Sequence, residues 1–562
     1  MIFNKVFQVK LSNILYKIKY YLFKFLKSEN LNKYDKDIVM YTEKFKEKYG
    51  EFLTTKKRNS KNGHTVLIFS TLNSPYSMNI ESIIAKKLEE YGFSIVILTF
   101  IHLKKMSDII HGEIYDFNDI LYLEDFLSIG NSPEAKRLYN KVLLINDVNE
   151  IKNMRYKNTL VGIHSLASFS GIVPSGKIQI DRKSRKNIAK IVRSSCRIVD
   201  GIEKIIELTK PEKVLVLDKG TVGVCEIFYE SIYREIDYLQ WASCHEPNSI
   251  IVKRYNTDNF REHPFSVSEK TWNNYKNNNE NYSEFVLDYF KKGYLDGKWF
   301  EYKKLATNKA LVTKEEIIKR LKLNSDKKIA IIFSHILNDA NFFFGKDLFK
   351  NGFTEWLVKT VEVASKNKDV NWLLKLHPAN IFRRKNMKYQ GEYGEIIAIK
   401  ESLGKIPENI TIIPADININ PYSFFKIADY GITVRGTIGA ELPCFGVPVL
   451  TAGTGRYSGR GFTIDSDSVE EYLDKIANIQ KIPALSEYQK DLAIKHAYLF
   501  FKERPAKYDS YIYDIYPYPQ EHPLNRDIEI VDKNLFDNKD LINLCNFIKN
   551  SKDEDYISSR MY

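Results

Sequence analysis

The stretch Ile432–Ser466, ITVRGTIGAELPCFGVPVLTAGTGRYSGRGFTIDS, decides how the chain is read. An apolar strand ends in Arg435-Gly436-Thr437, and a helix carrying Glu441 begins near Ile438. Gly446 closes that helix, Pro448 stiffens the turn, and Val449-Leu450 starts a second strand. A helix start at a sheet edge offers free N–H groups and partial positive charge, which suits a phosphate. Gly436 and Gly439 permit close backbone approach. Thr437 adds a hydroxyl and Arg435 a guanidinium. Glu441, in the first turn, either accepts hydrogen bonds from ribose hydroxyls or serves only as a partner of the helix dipole. The next loop, Gly453–Gly461, has four glycines with Arg456 and Arg460. It reads as a mobile cover over a phosphate site or as a plain connection.

Working outward, residues 326–490 read as one doubly wound α/β domain. KKIAIIFSH (327–335), NWLLKLHP (371–378) and NITIIPAD (409–416) are strands, with GFTEWLVKTVEVASKN, PYSFFKIAD and VEEYLDKIANIQ as helices between and after them. Residues 61–264 read as a second such domain, opened by HTVLIFS, the helix IESIIAKKLEEYG and the strand SIVILTF. Further strands are expected at KVLLIND (141–147), NTLVGIH (158–164), KVLVLD (213–218) and DYLQWAS (237–243). Residues 265–325 are a polar and aromatic interdomain connection, and 491–562 a helical, then Tyr- and Pro-rich tail. Residues 1–60 differ: Leu11, Ile14, Leu15, Ile18, Leu22, Phe25 and Leu26 recur at helical spacing among lysines. Such a basic amphipathic helix lies on an anionic membrane surface or packs on its own domain. The expected fold class is therefore α/β, two Rossmann-like doubly wound domains facing a cleft, with an amphipathic segment ahead of them.

Other candidates stand at strand ends, where ligands bind in such sheets. Lys375 and His377 alternate onto one face at the end of WLLKL. His335, with Asp339 in the loop after it, binds ligand or acts as acid or base, unless Asp339 only caps a helix. In the first domain Asn73-Ser74-Pro75-Tyr76, His164-Ser165 and Asp218–Thr221 are expected to face the cleft, with Asp218, Glu226 and His164 as candidate bases.

The 562 residues are 44% hydrophobic and 28% charged, with a formal net charge of +13, a balance that suits anionic partners. The five cysteines are scattered with no metal-ligand spacing, so reduced thiols in a cytoplasmic protein are expected. No apolar run reaches the roughly 20 residues of a membrane span, and no secretory signal pattern opens the chain. No P-loop, zinc motif, GxSxG elbow or nucleic-acid module occurs in its proper context.

SHILNDANFFFG (334–345), WLLKLHPAN (372–380) and VRGTIGAELPCFGVPVLTAGTGRYSGRGFT (434–463) resemble the bacterial capsule polysaccharide biosynthesis proteins, a family similar to capsular β-Kdo transferases and more distantly to the polyol-phosphate polymerases of teichoic acid synthesis. The resemblance is strongest over about residues 327–470. It implies a metal-independent GT-B glycosyltransferase with no cofactor, using a nucleotide-sugar as substrate and a glycan or lipid-linked acceptor. It implies donor contacts from His377, Arg435, Thr437 and Glu441; Lys375, Gly436 and Arg456 join the donor set from the residues themselves, with His335, Asp339, Asp218 and Glu226 as catalytic candidates. The expected place of work is the cytoplasm, at the inner face of the cell membrane, and the lack of a nucleic-acid module leaves no nucleic acid as expected partner. A UDP-sugar 2-epimerase, a CDP-polyol phosphotransferase and a non-catalytic glycan-binding subunit remain as other readings.

Overall fold

The computed structural model describes residues 33–53, 63–128, 130, 132–173, 176, 178–246, 248–296, 309–339, 342–381, 390–507, 511–512, 529–530 and 534–562. The amphipathic segment read at residues 1–30 lies outside the described residues. Strands buried on both faces need continuous apolar runs, and TVLIFS supplies one: it forms β1 (Thr65–Ser70), with every residue buried. Parallel to it run β2 (Ser94–Thr99), β3 (Ile120–Tyr122), β4 (Lys213–Val216) and β5 (Asp237–Ser243), while β6 (Ser249–Tyr255) is antiparallel to β5. The order is β6-β5-β4-β1-β2-β3.

A second sheet holds β7 (Lys328–Phe333), β8 (Val370–Lys375), β9 (Ile410–Ile413), β10 (Tyr430–Thr433) and β11 (Val449–Thr451), all parallel, in the order β11-β10-β7-β8-β9. In each sheet the first strand has the second on one side and the fourth on the other. Strand order therefore reverses between β1 and β4 and between β7 and β10, and a crevice opens beyond the C-terminal ends there. The chain is a two-domain, Rossmann-like α/β fold.

Two segments read as strands are helical. Residues 141–144 end the helix Pro133–Leu144, which Ser132 caps by accepting from the N–H of Ala135 at 3.1 Å. Residues 161–164 open the helix Val161–Ser170. Both apolar runs are short, and short runs suit a strand or a buried helix equally. Pro133 at the first helical position, behind a serine cap, settles the first case. The third strand is instead Ile120–Tyr122, only three residues long.

The polar 265–325 region packs on the second domain. Trp272, Phe290, Tyr294 and Ile317 share an apolar cluster with Phe424, Phe425, Leu442 and Tyr457. The C-terminal segment returns to the first domain. β12 (Ala506–Lys507) adds antiparallel to β6, and the helix Lys539–Asn550 lies against the helix Pro75–Glu90. Asp555, fully buried, pairs with Arg504 and with Lys253 at 3.0 Å, and accepts from the N–H of Ser268 at 2.7 Å. This holds the strand β6 and the 264–268 segment together. All five cysteines are free and buried. Among the described residues no helix is long and apolar enough to cross a membrane.

Candidate functional site

The strand ends at the second switch point are joined through one histidine. His335, just past β7, stacks on Phe353 with ring centroids 4.2 Å apart. Its Nε2 lies 3.2 Å from the backbone N–H of Val434 and 3.1 Å from the Thr433 hydroxyl. Burial, with His377, Arg435 and Arg456 nearby, holds this imidazole well below the usual histidine range. It is a neutral ring whose Nε2 accepts from the backbone, so it positions the turn after β10.

That turn delivers Arg435, whose guanidinium is clasped by the Asp347 carboxylate and the Phe344 carbonyl. The glycine-rich loop is anchored to the same turn. Tyr457, fully buried, donates from its hydroxyl to the Gly436 carbonyl at 2.7 Å, and its ring fills the space where a Cβ on Gly439 would lie, 2.1 Å away. Ser458 Oγ accepts from the Gly455 N–H at 2.8 Å, and Asp465 from the Gly459 N–H at 2.7 Å. These contacts tie the loop to the turn after β10, so that it forms one wall of the cavity.

Between the domains this wall faces residues 258–267, which follow β6, across a cavity of about 640 Å³. Arg435, Arg456, Arg460 and Lys346 come from the second domain, and Arg261 and His263 from the first. Asp258, Glu262, Asp465 and Asp467 also border it. Two of these cations have carboxylate partners: Arg435 is matched by Asp347, and Arg460 by Glu269 and by the Val267 carbonyl at 2.6 Å. Arg456 is different. Among the described residues no carboxylate lies within ion-pair distance of it. Its Nη2 lies 3.3 Å from His263 Nε2, its guanidinium stands over the Phe265 ring at 5.1 Å, and its buried Nε has no hydrogen-bond partner among the described residues. Burial lowers this arginine to about 10, and Arg435 adds to the effect.

The other sequence candidates fall elsewhere. Glu441 is buried and accepts from the Tyr294 hydroxyl. Gly439 and Ala440 donate to the carbonyls of Gly436 and Thr437, so those N–H groups are taken within the four-residue helix Ile438–Glu441. Lys375 is buried and lowered to about 8 by desolvation. His377 accepts the Ala379 N–H on Nδ1 at 3.2 Å. Of the donor set, only Arg435 and Arg456 line the cavity, with Gly436 and Thr437 in the turn behind Arg435. Asp339 is exposed after β7, near enough for its charge to act on Arg456.

His164 does not face an open cleft, because the loop after β7 packs over it. Phe342 and Phe343, from the loop after β7, are buried in the first domain's core. Phe343 lies 4.5 Å from the His164 ring and 6.1 Å from Phe228. His164 is wholly buried, with Nδ1 2.7 Å from the Gly220 carbonyl, and burial lowers it to about 4. Glu226 is buried, bonded by Ser195 and by the Gly223 N–H at 2.9 Å, and pushed up to about 7. Asp218 accepts from the N–H groups of Lys219 and Gly220 at 2.7 and 3.0 Å, tying its own loop. Lys219 is sealed in as well, its ammonium 3.3 Å from the centre of the Tyr255 ring and donating to the Phe260 carbonyl at 2.6 Å.

Sequence reading missed Arg261, His263 and Lys346. The first two belong to REHPF, beyond an antiparallel strand where no switch point directs attention. Only their cluster of two ionisable residues around Glu262 before a proline marked them. Among the described residues no group of three or more His, Cys, Asp or Glu is arranged to hold a metal ion.

No protein-family profile matches the chain, and no curated protein matches it in sequence. Among solved structures it is similar to the Thermosulfurimonas dismutans KpsC β-Kdo 2,4 transferase, at 12% identity over 50% of this chain and 79% of that one, with a TM-score of 0.29. It is also similar to the Neisseria meningitidis UDP-GlcNAc 2-epimerase bound to UDP-GlcNAc, at 13% identity over 77% of this chain and 97% of that one, with a TM-score of 0.29. A Rickettsia africae glycosyltransferase covers 87% of this chain and all 100% of its own at 12% identity, with a TM-score of 0.26. Likeness this distant, shared by transferases and epimerases, does not choose an activity.

Proposed function

We propose that the protein is a glycosyltransferase that moves a sugar from a nucleotide-sugar to a capsule or other surface polysaccharide or glycolipid acceptor. The observation that carries this reading is Arg456, a cation without a carboxylate partner among the described residues, in the cavity between two doubly wound domains. An anionic ligand offsets the cost of its burial. In this reading the diphosphate, or the monophosphate of a CMP-sugar, seats against Arg456 and Lys346. Arg435, fixed by Asp347, adds charge behind them. These groups are in place before reaction and stabilise the negative charge that develops on the leaving phosphate as the glycosidic bond breaks. Asp339 is the base we assign to the acceptor hydroxyl, because it is exposed and its charge acts on Arg456, whereas Glu226 is buried. His335 acts through the β10 turn. The basic residues 1–30 are proposed to rest on the anionic inner face of the cell membrane.

The test is to incubate the protein with UDP-, GDP-, CMP- and CDP-linked donors, with and without a surface-glycan acceptor. Sugar transfer that requires acceptor supports the proposal. Sugar conversion without acceptor indicates an epimerase, and phosphorus in the product indicates polyol-phosphate transfer. Unchanged donors under every condition point to a non-catalytic subunit.

A further inference from the structure

His263 occupies the seam between the domains. Its ring stands against Phe265 at 5.0 Å and Phe344 at 5.2 Å, on the first-domain wall of the cavity. The backbone N–H of Phe265 donates to its Nδ1 at 3.1 Å. A ring nitrogen that accepts a hydrogen bond holds its lone pair, so the proton of the neutral ring sits on Nε2. Nε2 is the atom turned toward the second domain, 3.3 Å from Arg456 Nη2. Two donors from opposite domains therefore converge with no acceptor between them.

The surroundings favour the neutral ring. Arg456 and Arg435 face it from the second domain, and Lys219 and Lys253 from the first. Burial and these four cations hold His263 well below the usual histidine range. The carboxylate of its neighbour Glu262 is directed to Lys253, 3.0 Å away. A histidine so placed neither charges near neutral pH nor offers Nε2 as a base. What it offers is an N–H.

We infer that His263 donates its Nε2–H to a phosphate oxygen of the ligand that Arg456 binds from the opposite side, so that one phosphoryl group joins the two domains. This rests on the glycosyl-transfer reading above and extends it: the first domain takes part in holding the donor, and His263 is a binding residue rather than the acceptor's base. Because no protonation of the ring is required, the contact persists unchanged across the histidine titration range.

Two measurements test it. The first is nitrogen NMR of histidine-labelled full-length protein at pH 7 without ligand. An Nε2–H, Nδ1-unprotonated ring at residue 263, assigned by its loss in His263→Gln, supports the inference. An Nδ1–H ring or an imidazolium overturns it, whatever the protein's activity. The second is calorimetric titration with UDP, GDP, CDP, CMP and inorganic pyrophosphate. For whichever binds, His263→Ala is expected to weaken affinity about tenfold, and His263→Gln, which keeps an N–H donor, to weaken it less. The ratio of wild-type to His263→Gln affinity is expected to be level from pH 8 to pH 6, since the ligand's own phosphate, which titrates near pH 6, affects both proteins alike. If the wild type binds and both variants match it, this inference falls while the glycosyl-transfer reading stands. If the wild type binds none of the five, both fall. The melting temperature of each variant confirms that it is folded.

Discussion

His335 Nε2 lies 3.2 Å from the backbone N–H of Val434, so the end of β7 holds the turn that leaves β10 and presents Arg435. Replacing His335 with Ala removes an acceptor from a buried N–H and a ring from the face of Phe353. A loss of about 1–3 kcal/mol in urea unfolding is expected, the usual cost of stranding a buried donor. An unchanged midpoint would show that the turn does not depend on this contact.

Gly439 and Tyr457 are coupled by contact. A Cβ at Gly439 would lie 2.1 Å from the tyrosine ring, so Gly439→Ala must displace Tyr457 and with it the wall of the cavity. Gly439→Ala is expected to cost about 1–3 kcal/mol, as overpacking does. The cost should shrink when Tyr457→Ala is also present. Additive losses in that double-mutant cycle would contradict the coupling.

Phe343 crosses from one domain into the core of the other. Its truncation to Ala is expected to destabilise the protein by about 3–5 kcal/mol, the range for buried aromatic side chains. The loss should be largest for first-domain amides near His164 and Phe228, read by hydrogen exchange. Protection unchanged around those residues would mean that the domains are not joined there.

Glu81 is fully buried, with Oε1 3.3 Å from Trp241 Nε1, and desolvation pushes its carboxyl up to about 8. Between about pH 4.5 and 8 the unfolded chain has lost this proton and the folded protein keeps it. Stability attributable to Glu81 therefore falls as pH rises, by up to roughly 1.4 kcal/mol per pH unit. Glu81→Gln cannot titrate, so its melting temperature relative to wild type should climb steadily from pH 5 to pH 8. A pH-independent difference would show that Glu81 is ionised in the folded protein.

The parallel strands at the centre of the two sheets were legible because TVLIFS, KIAIIF and VNWLLK are apolar runs bounded by polar and turn residues, as doubly buried strands are. The strand end at Arg435 was legible for the same reason, with glycine and proline marking the turns around it. Residues 141–147 were misread because a four-residue apolar run has no measurable period, and the serine cap that decides it lies nine residues upstream of Lys141. The site was harder. Glu441 has the spacing of a ligand residue, yet Tyr294, 147 positions away along the chain, takes its carboxylate. Asp218, Glu226 and His164 lie at or near a switch point in sequence terms, and nothing local reveals that Phe342 and Phe343 will seal it. His263 joins the site only because the C-terminal Asp555, with Lys253 and Arg504, holds the segment after β6 in place. Long-range pairings of this kind leave no periodic trace.

The central claim is that the interdomain cavity holds an anionic donor through Arg456, and it is tested most directly by titrating nucleotide diphosphates into the wild type and Arg456→Gln by calorimetry. The account predicts binding to the wild type and a loss of affinity of about tenfold or more in the variant, since a charge-assisted contact is removed. It also predicts a melting temperature without ligand that is equal or higher in the variant, because an unmatched buried charge is gone. Equal affinity in the two proteins would contradict it.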